Sequence, residues 1–308
     1  MSHHTLGRAF ATAVTTFVLA VSASHATAEP VALGSRRELF LDHYLIDSLS
    51  GAQLALHRPR PAGTVIRFDK PWEGIYCAYA TVMKDGGKYR LYYRGNPGGG
   101  DDGTDVETTC YAESADGITW VKPNLGLFEV IGTKENNVVL AHDPPFSHNF
   151  SPFVDHRPGV PDAERYKAIA GSNKTGLFAF VSGDGIRWKR LRDGPVFREK
   201  VESVFDSQNN AFWSENEACY VLYYRRMVDR TRGVARTTSK DFVAWTEPVQ
   251  MTYDAHPPTP EEQLYTNQTN PYFRAPHLYV ALAARFMPGR SALSKEQLAA
   301  ATIVRTRF

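Results

Sequence analysis

The chain has 308 residues, of which 43% are apolar, 12% aromatic and 22% charged, a globular composition that excludes a disordered or collagen-like polymer. Its 35 basic residues against 33 acidic ones give a net charge of +2, without the basic excess that a nucleic-acid-binding surface needs. Three cysteines, Cys77, Cys110 and Cys219, exclude a disulfide-rich scaffold and an all-cysteine zinc site. Cys77 and Cys110 could pair in an oxidising compartment, but the odd count leaves one over, and buried thiols are the expectation.

Residues 1–28 read as a secretory signal. Arg8 supplies the positive start, Ala9–Ala23 the apolar stretch, and Ala26-Thr27-Ala28 a cleavage site before the polar Glu29-Pro30. The stretch is shorter than the roughly 20 apolar residues of a spanning helix, and no other segment is long and apolar enough to span. The mature chain, residues 29–308 with a net charge of +1, is expected to be secreted or periplasmic and to form one domain.

From there the chain reads as short strands. The 23 glycines, 19 prolines and 37 aromatic residues favour strands and turns. Glu38–Ile46 is predicted as a first strand. Ala78–Met83, Lys88–Arg94 and Thr109–Ser114 then lead into Ser-Ala-Asp-Gly-Ile-Thr-Trp, ending at Trp120. Phe150–Val154, Arg165–Ala170 and Leu177–Ser182 lead into Ser-Gly-Asp-Gly-Ile-Arg-Trp, ending at Trp188. Asn210–Trp213, Cys219–Arg225 and Arg232–Ser239 lead into Ser-Lys-Asp-Phe-Val-Ala-Trp, ending at Trp245. The intervals of 68 and 57 residues mark a repeated supersecondary unit. The signature is read as a structural turn, with the Trp after it opening the outermost strand and packing between repeats. Each unit is a four-stranded antiparallel meander, and such meanders in series build a β-propeller. A fourth unit begins near Gln263, with strands near Asn267–Tyr272 and Leu278–Leu282. Ser294–Ala301 follows as a short helix capped by Ser294, and Ile303–Phe308 fits no blade. Three and a half units do not close a ring.

Several stretches resemble a secreted bacterial family common in planctomycetes: Phe40–Ile46, Lys70–Gly74, Tyr89–Gly95, Ala112–Trp120 with Lys122–Gly126, Phe205–Asn209, Leu264–Gln268 and Tyr272–His277. That family is similar to the five-bladed propellers of glycoside hydrolase families 32, 43, 62 and 68. The resemblance implies an all-β, five-bladed β-propeller of four-stranded antiparallel blades. Members of the family are usually longer, so the last blade or blades are expected to be incomplete, as in a C-terminally truncated relative.

A glycosidase needs two carboxyls flanking the scissile bond, and in a propeller they are sought where the inner strands begin. Glu73 is the candidate base or nucleophile, or else a solvated loop charge; the Asn-Asp-Pro-like setting usual in the related hydrolases is missing around it. Trp72 is a sugar-stacking platform or a packing residue. His148 and Asn149 suit hydrogen bonds to hydroxyls. No second histidine stands at ligand spacing, so no zinc site is expected, and no metal or cofactor is assigned. Asp206 takes the general-acid place that the resemblance assigns to the third blade, or belongs to an ordinary Asp/Ser/Asn turn with Gln208 and Asn209. Glu262 is a second acid candidate or part of an exposed loop. Tyr265, Asn267 and Gln268 complete the set that would position sugar hydroxyls. Arg94, Arg225 and Arg285 either brace strands or reach an anionic sugar. The Gly-rich run Gly95–Asp102 lacks the residues of a phosphate loop, leaving a mobile loop or a calcium ligand set. The sequence thus points to cleavage of an extracellular polysaccharide or oligosaccharide by paired carboxylates. The rival readings are a carbohydrate-binding propeller without catalysis and an inactive fragment.

Overall fold

The computed structural model describes residues 30–99, 101–201, 203–253 and 257–290. The expected signal at 1–28, the helix at 294–301 and the tail at 303–308 lie outside them. Two units are distinguished, Met1–Leu56 and His57–Phe308. In the first, residues 30–56 form turns and bends in place of the expected strand Glu38–Ile46. The Tyr44 backbone N–H donates to Asp42 Oδ1 at 2.9 Å, a local Asx bond that competes with extended pairing.

In the second unit, runs rich in aromatic and β-branched residues form successive antiparallel sheets. The first contains β1 (Ala78–Asp85), β2 (Lys88–Gly95), β3 (Thr108–Ser114) and β4 (Trp120–Val121), with β5 (Val138–Leu140) sharing the outer edge of β3 with β4. The second contains β6 (Ser151–Val154), β7 (Tyr166–Ser172), β8 (Gly176–Ser182) and β9 (Lys189–Arg190). The third contains β10 (Asn210–Ser214), β11 (Cys219–Val228), β12 (Thr231–Ser239) and β13 (Val249–Gln250). Finally β14 (Gln263–Thr266) pairs with β17 (Ala284–Phe286), and β15 (Asn270–Tyr272) with β16 (Ala275–Val280). Among the described residues only two short 3-10 turns accompany these strands, so the protein is nearly all-β. All three cysteines are free thiols.

The first strands β1, β6, β10 and β15 are neighbours in that order. Gln208, just before β10, donates to Thr81 Oγ1 of β1 at 3.1 Å and accepts from Gln268 Nε2 at 2.8 Å. The sheets therefore meet around a shared polar axis, as blades do, while remaining separate sheets.

The three signature turns share one geometry. Ser114, Ser182 and Ser239 donate to Asp116, Asp184 and Asp241 at 2.9, 2.9 and 3.0 Å. Each Ser Oγ accepts the backbone N–H three residues on at 2.9 Å, and each Asp Oδ1 accepts the next two backbone N–H groups. The residue three after the serine is left-handed: Gly117 at φ +76°, Gly185 at +74° and Phe242 at +67°. For Phe242 the strain is offset by full burial of the ring among Phe153, Tyr220 and Trp245.

Trp188 and Trp245 pack between repeats, whereas Trp120 packs in the core of the first sheet and is the one of the three that opens its strand. Trp188 precedes β9 because its ring leaves the edge to meet Tyr92 of the first sheet at 6.2 Å and Phe150 of its own at 5.0 Å. The Tyr92 hydroxyl donates to Gly185 O at 2.7 Å, tying the first sheet to the second turn. A Cβ at Gly185 would stand 2.7 Å from that hydroxyl, whereas one at Gly117 would meet only the Tyr89 ring at 3.6 Å. Gly185→Ala is expected to cost about 2–4 kcal/mol from backbone strain plus overpacking, and Gly117→Ala only about 1 kcal/mol. Urea denaturation of both variants checks the difference.

Candidate functional site

A cleft of about 730 Å³ is lined by Asp102, His148, Lys174, Asp206, Arg225 and Arg232, among others. Asp102 comes from the Gly-rich loop between β2 and β3. His148 ends the 3-10 turn before β6, and Lys174 sits in the turn between β7 and β8. Asp206 precedes β10, while Arg225 and Arg232 lie on β11 and β12.

The loop carrying Asp206 is held in an unfavourable backbone conformation, with Ser203 at φ +58° and Phe205 at φ +64°. Such residues cost about 1–3 kcal/mol each and persist only where the surroundings impose them. Here the Phe205 ring is buried against Phe197 and Tyr224, and its carbonyl accepts Asn149 Nδ2 at 2.7 Å and Asn209 Nδ2 at 3.1 Å. Asn149 also bonds both backbone groups of Gly171, at 2.8 and 3.0 Å, fixing the strand that leads to Lys174. Asn149 and Asn209, expected to bind sugar hydroxyls, are thus buried and spent on backbone; they position the cleft.

A chain of charges runs across the cleft floor. Arg94 Nη1 lies 3.2 Å from Asp102 Oδ1, 3.3 Å from Glu107 Oε1 and 2.7 Å from His148 Nδ1. His148 Nδ1 is 3.1 Å from Glu107 Oε1, and Nε2 is 3.4 Å from Asp206 Oδ1. Arg225 Nη2 donates to Asp206 Oδ2 at 2.6 Å. Arg94, His148 and Arg225 are each about 5% exposed and Glu107 about 1%, while the side chains of Asp102 and Asp206 are 57% and 59% exposed. Two solvent-facing carboxylates are therefore each held from below by a buried guanidinium, with an imidazole between them. Tyr79, left-handed at φ +53° on a bulge of β1, brings its ring under the Arg94 guanidinium at 4.9 Å and edge-on to His148 at 5.5 Å.

Burial alone would lower the pKa of His148, but hydrogen bonds to the Asp206 and Glu107 carboxylates raise it to about 9. The short Arg94 contact opposes this, because an imidazolium and a guanidinium then stand face to face. Glu107 Oε1 lies within reach of both and supplies the negative charge that holds them together. Burial pushes Asp206 up, but His148 and Arg225 outweigh it and bring it down to about 2. Asp206 is thus ionised, which suits a base or nucleophile and not the general acid expected from the sequence.

Glu73 and Trp72 do not line the cleft. Glu73 is fully buried, with Lys122 Nζ at 2.7 Å, the Tyr93 hydroxyl at 2.5 Å and the Lys70 backbone N–H at 2.8 Å. It is neither a solvated loop charge nor a base facing substrate; it is the buried anion of the first sheet. Trp72 is a packing residue of the same core and donates to Asn137 Oδ1 at 2.6 Å. Glu262 stands apart from the cleft beside Arg285, at 3.5 Å. Gln208 and Gln268 bond one another on the axis, and Asn267 accepts the Thr269 N–H at 3.0 Å. Tyr265 borders the cleft cations: Arg225 and Arg232 each lie 5.9 Å from its ring. Sequence reasoning left Glu107, Tyr79, Lys174 and Arg232 unmarked, and reached Asp102 only through its Gly-rich loop. Asp102, His148 and Asp206 each offer one atom within 4.8 Å of the others, a grouping that could hold a metal ion. Three cations, Arg94, Arg225 and protonated His148, already balance three anions there, so no metal is assigned.

The chemistry predicts two stability effects. Glu73→Gln removes the nearer carboxylate of Lys122, leaving it Asp69 at 3.3 Å and the Arg67 carbonyl at 2.6 Å, and is expected to cost about 1–3 kcal/mol in urea denaturation. His148 is protonated in the native state up to about pH 9 but only to about 6.5 when unfolded. Its contribution is therefore full below pH 6.5 and lost as pH rises through 9, while that of Asp206 is full above pH 3.8 and lost as pH falls through 2. Thermal unfolding from pH 4 to 10 should show the alkaline decline in the natural protein and a shallower one in His148→Gln.

No family model matches the chain. An uncharacterized protein of Mycobacterium tuberculosis is 30% identical over 116 residues, covering 37% of this chain and 34% of its own length. A glycosyl hydrolase from Bacteroides ovatus is 13% identical, with 71% of this chain and 67% of that chain covered and a TM-score of 0.42. Exo-inulinase from Aspergillus awamori is 17% identical, with 61% and 41% covered and a TM-score of 0.42. The chain spans about a third of the length of the curated relative it matches. The roles assigned to residues here rest on the cleft's own geometry.

Proposed function

We infer that this cleft cleaves glycosidic bonds of an extracellular polysaccharide or oligosaccharide. The observation that carries the reading is the presence of two solvent-facing carboxylates, Asp102 and Asp206, in one cleft with oxygen atoms within 4.8 Å of one another. Asp206, held ionised by His148 and Arg225, acts as the nucleophile or base. Asp102, 3.2 Å from Arg94 and 3.8 Å from His148 Nδ1, is the second carboxyl of the pair. A pair this close is nearer to the roughly 5–5.5 Å spacing of retaining enzymes than to the roughly 6.5–9.5 Å of inverting ones. The reading includes a five-bladed propeller, supported by the four first strands about one axis, and a secreted or periplasmic location, supported by residues 1–28.

A second reading, glycan binding without turnover, is favoured by one observation: both carboxylates are already ion-paired to arginine. A polysaccharide and aryl-glycoside panel separates the two. Hydrolysis is expected, with the anomeric configuration of the first-formed product retained by NMR, and Asp206→Asn or Asp102→Asn is expected to slow it about 100- to 10,000-fold. Binding by the folded chain with no hydrolysis of any substrate would leave only the second reading.

A further inference from the structure

The cations of the cleft outnumber its anions. Around His148 the charges balance, Arg94 and Arg225 with the imidazolium against Asp102, Glu107 and Asp206. Arg232 and Lys174 line the same cleft and have no carboxylate partner among the described residues. Arg232 is anchored, with Nη1 donating to Gln263 Oε1 at 2.7 Å and the guanidinium 4.4 Å from the Phe286 ring. That partner is neutral, so the full positive charge of Arg232 stays uncompensated. Arg225, about 5% exposed, bonds Asp206 through Nη2 only, and its Nε and Nη1 are buried with no acceptor. A buried guanidinium is costly unless its donors are satisfied. Arg225 and Arg232 both line the cleft and each lies 5.9 Å from the Tyr265 centroid, so both charges stand near one ring.

We propose that the cleft takes an anionic sugar, whose carboxylate or sulfate group is held by Arg232 and Lys174, with Arg225 reinforcing them from beneath. The proposal rests on the cleft being a glycan site and names the class of glycan. An arginine fork and a free ammonium match a planar or tetrahedral oxyanion. A neutral sugar would leave this charge unanswered.

The test is calorimetric binding of the full chain to four oligosaccharides: a polygalacturonate and its methyl ester, and a sulfated galactan and its desulfated form. The expected result is that at least one anionic glycan binds about tenfold tighter than its neutral counterpart, with the advantage shrinking as salt rises. Which pair shows it tells carboxylate from sulfate. Arg232→Gln with Lys174→Gln should abolish the advantage, and Lys174→Gln alone, in an exposed turn, serves if the double variant does not fold. Equal binding of the neutral forms, or an advantage that survives the substitutions, overturns the anionic-sugar proposal and leaves the glycan site standing. No binding to any of the four, and no hydrolysis in the wider panel, overturns both.

Discussion

The centre of this protein depends on charges that three sheets bury together. Arg94 belongs to the first sheet, His148 stands at the head of the second, and Asp206 and Arg225 belong to the third. Each ion taken from water costs several kcal/mol unless its partners are in place, and those partners arrive on different sheets. The ion pairs of the network are therefore complete only when all three are docked. Because its cations lie underneath and two of its carboxylates face out, the interaction that joins the sheets also sets which charged groups the cleft presents to solvent.

Polar side chains that look alike in sequence do different work here. Glu73 and Asp206 both precede a first strand. Glu73 is fully enclosed by Lys122, Tyr93 and backbone, whereas Asp206 keeps more than half of its side chain in solvent. The asparagines show the same division. Asn149 and Asn209 spend their amides on Phe205 and its neighbours, which stabilises a left-handed backbone that would otherwise relax. The rigidity of the site comes from these buried amides and from the Phe205 ring, and the polarity that meets a ligand comes from residues on the turns around them.

The surplus of positive charge gives the cleft a chemical character beyond its paired acids. Tyr265 lies 5.9 Å from both arginines and stacks against Phe286.

The strands and turns were legible in the sequence because their causes are local. Alternating aromatic runs, Asp-Gly pairs and the Ser-x-Asp turn each bond within a few residues, so β2, β3, β7, β8, β11 and β12 fall where the pattern places them. Arg94, Arg225, His148 and Asp206 were also visible as candidates, since polar residues at strand ends stand out against apolar neighbours. The sequence by itself determined a nearly all-β chain of repeated antiparallel units and the residue types available to a site. Only the tertiary structure decided that Glu73 is enclosed, that Asp102 faces Asp206, and that Glu107 sits beneath His148. Those outcomes depend on burial and on charges brought together from separate sheets, and the balance between desolvation and pairing that fixes them exists only once the chain has folded.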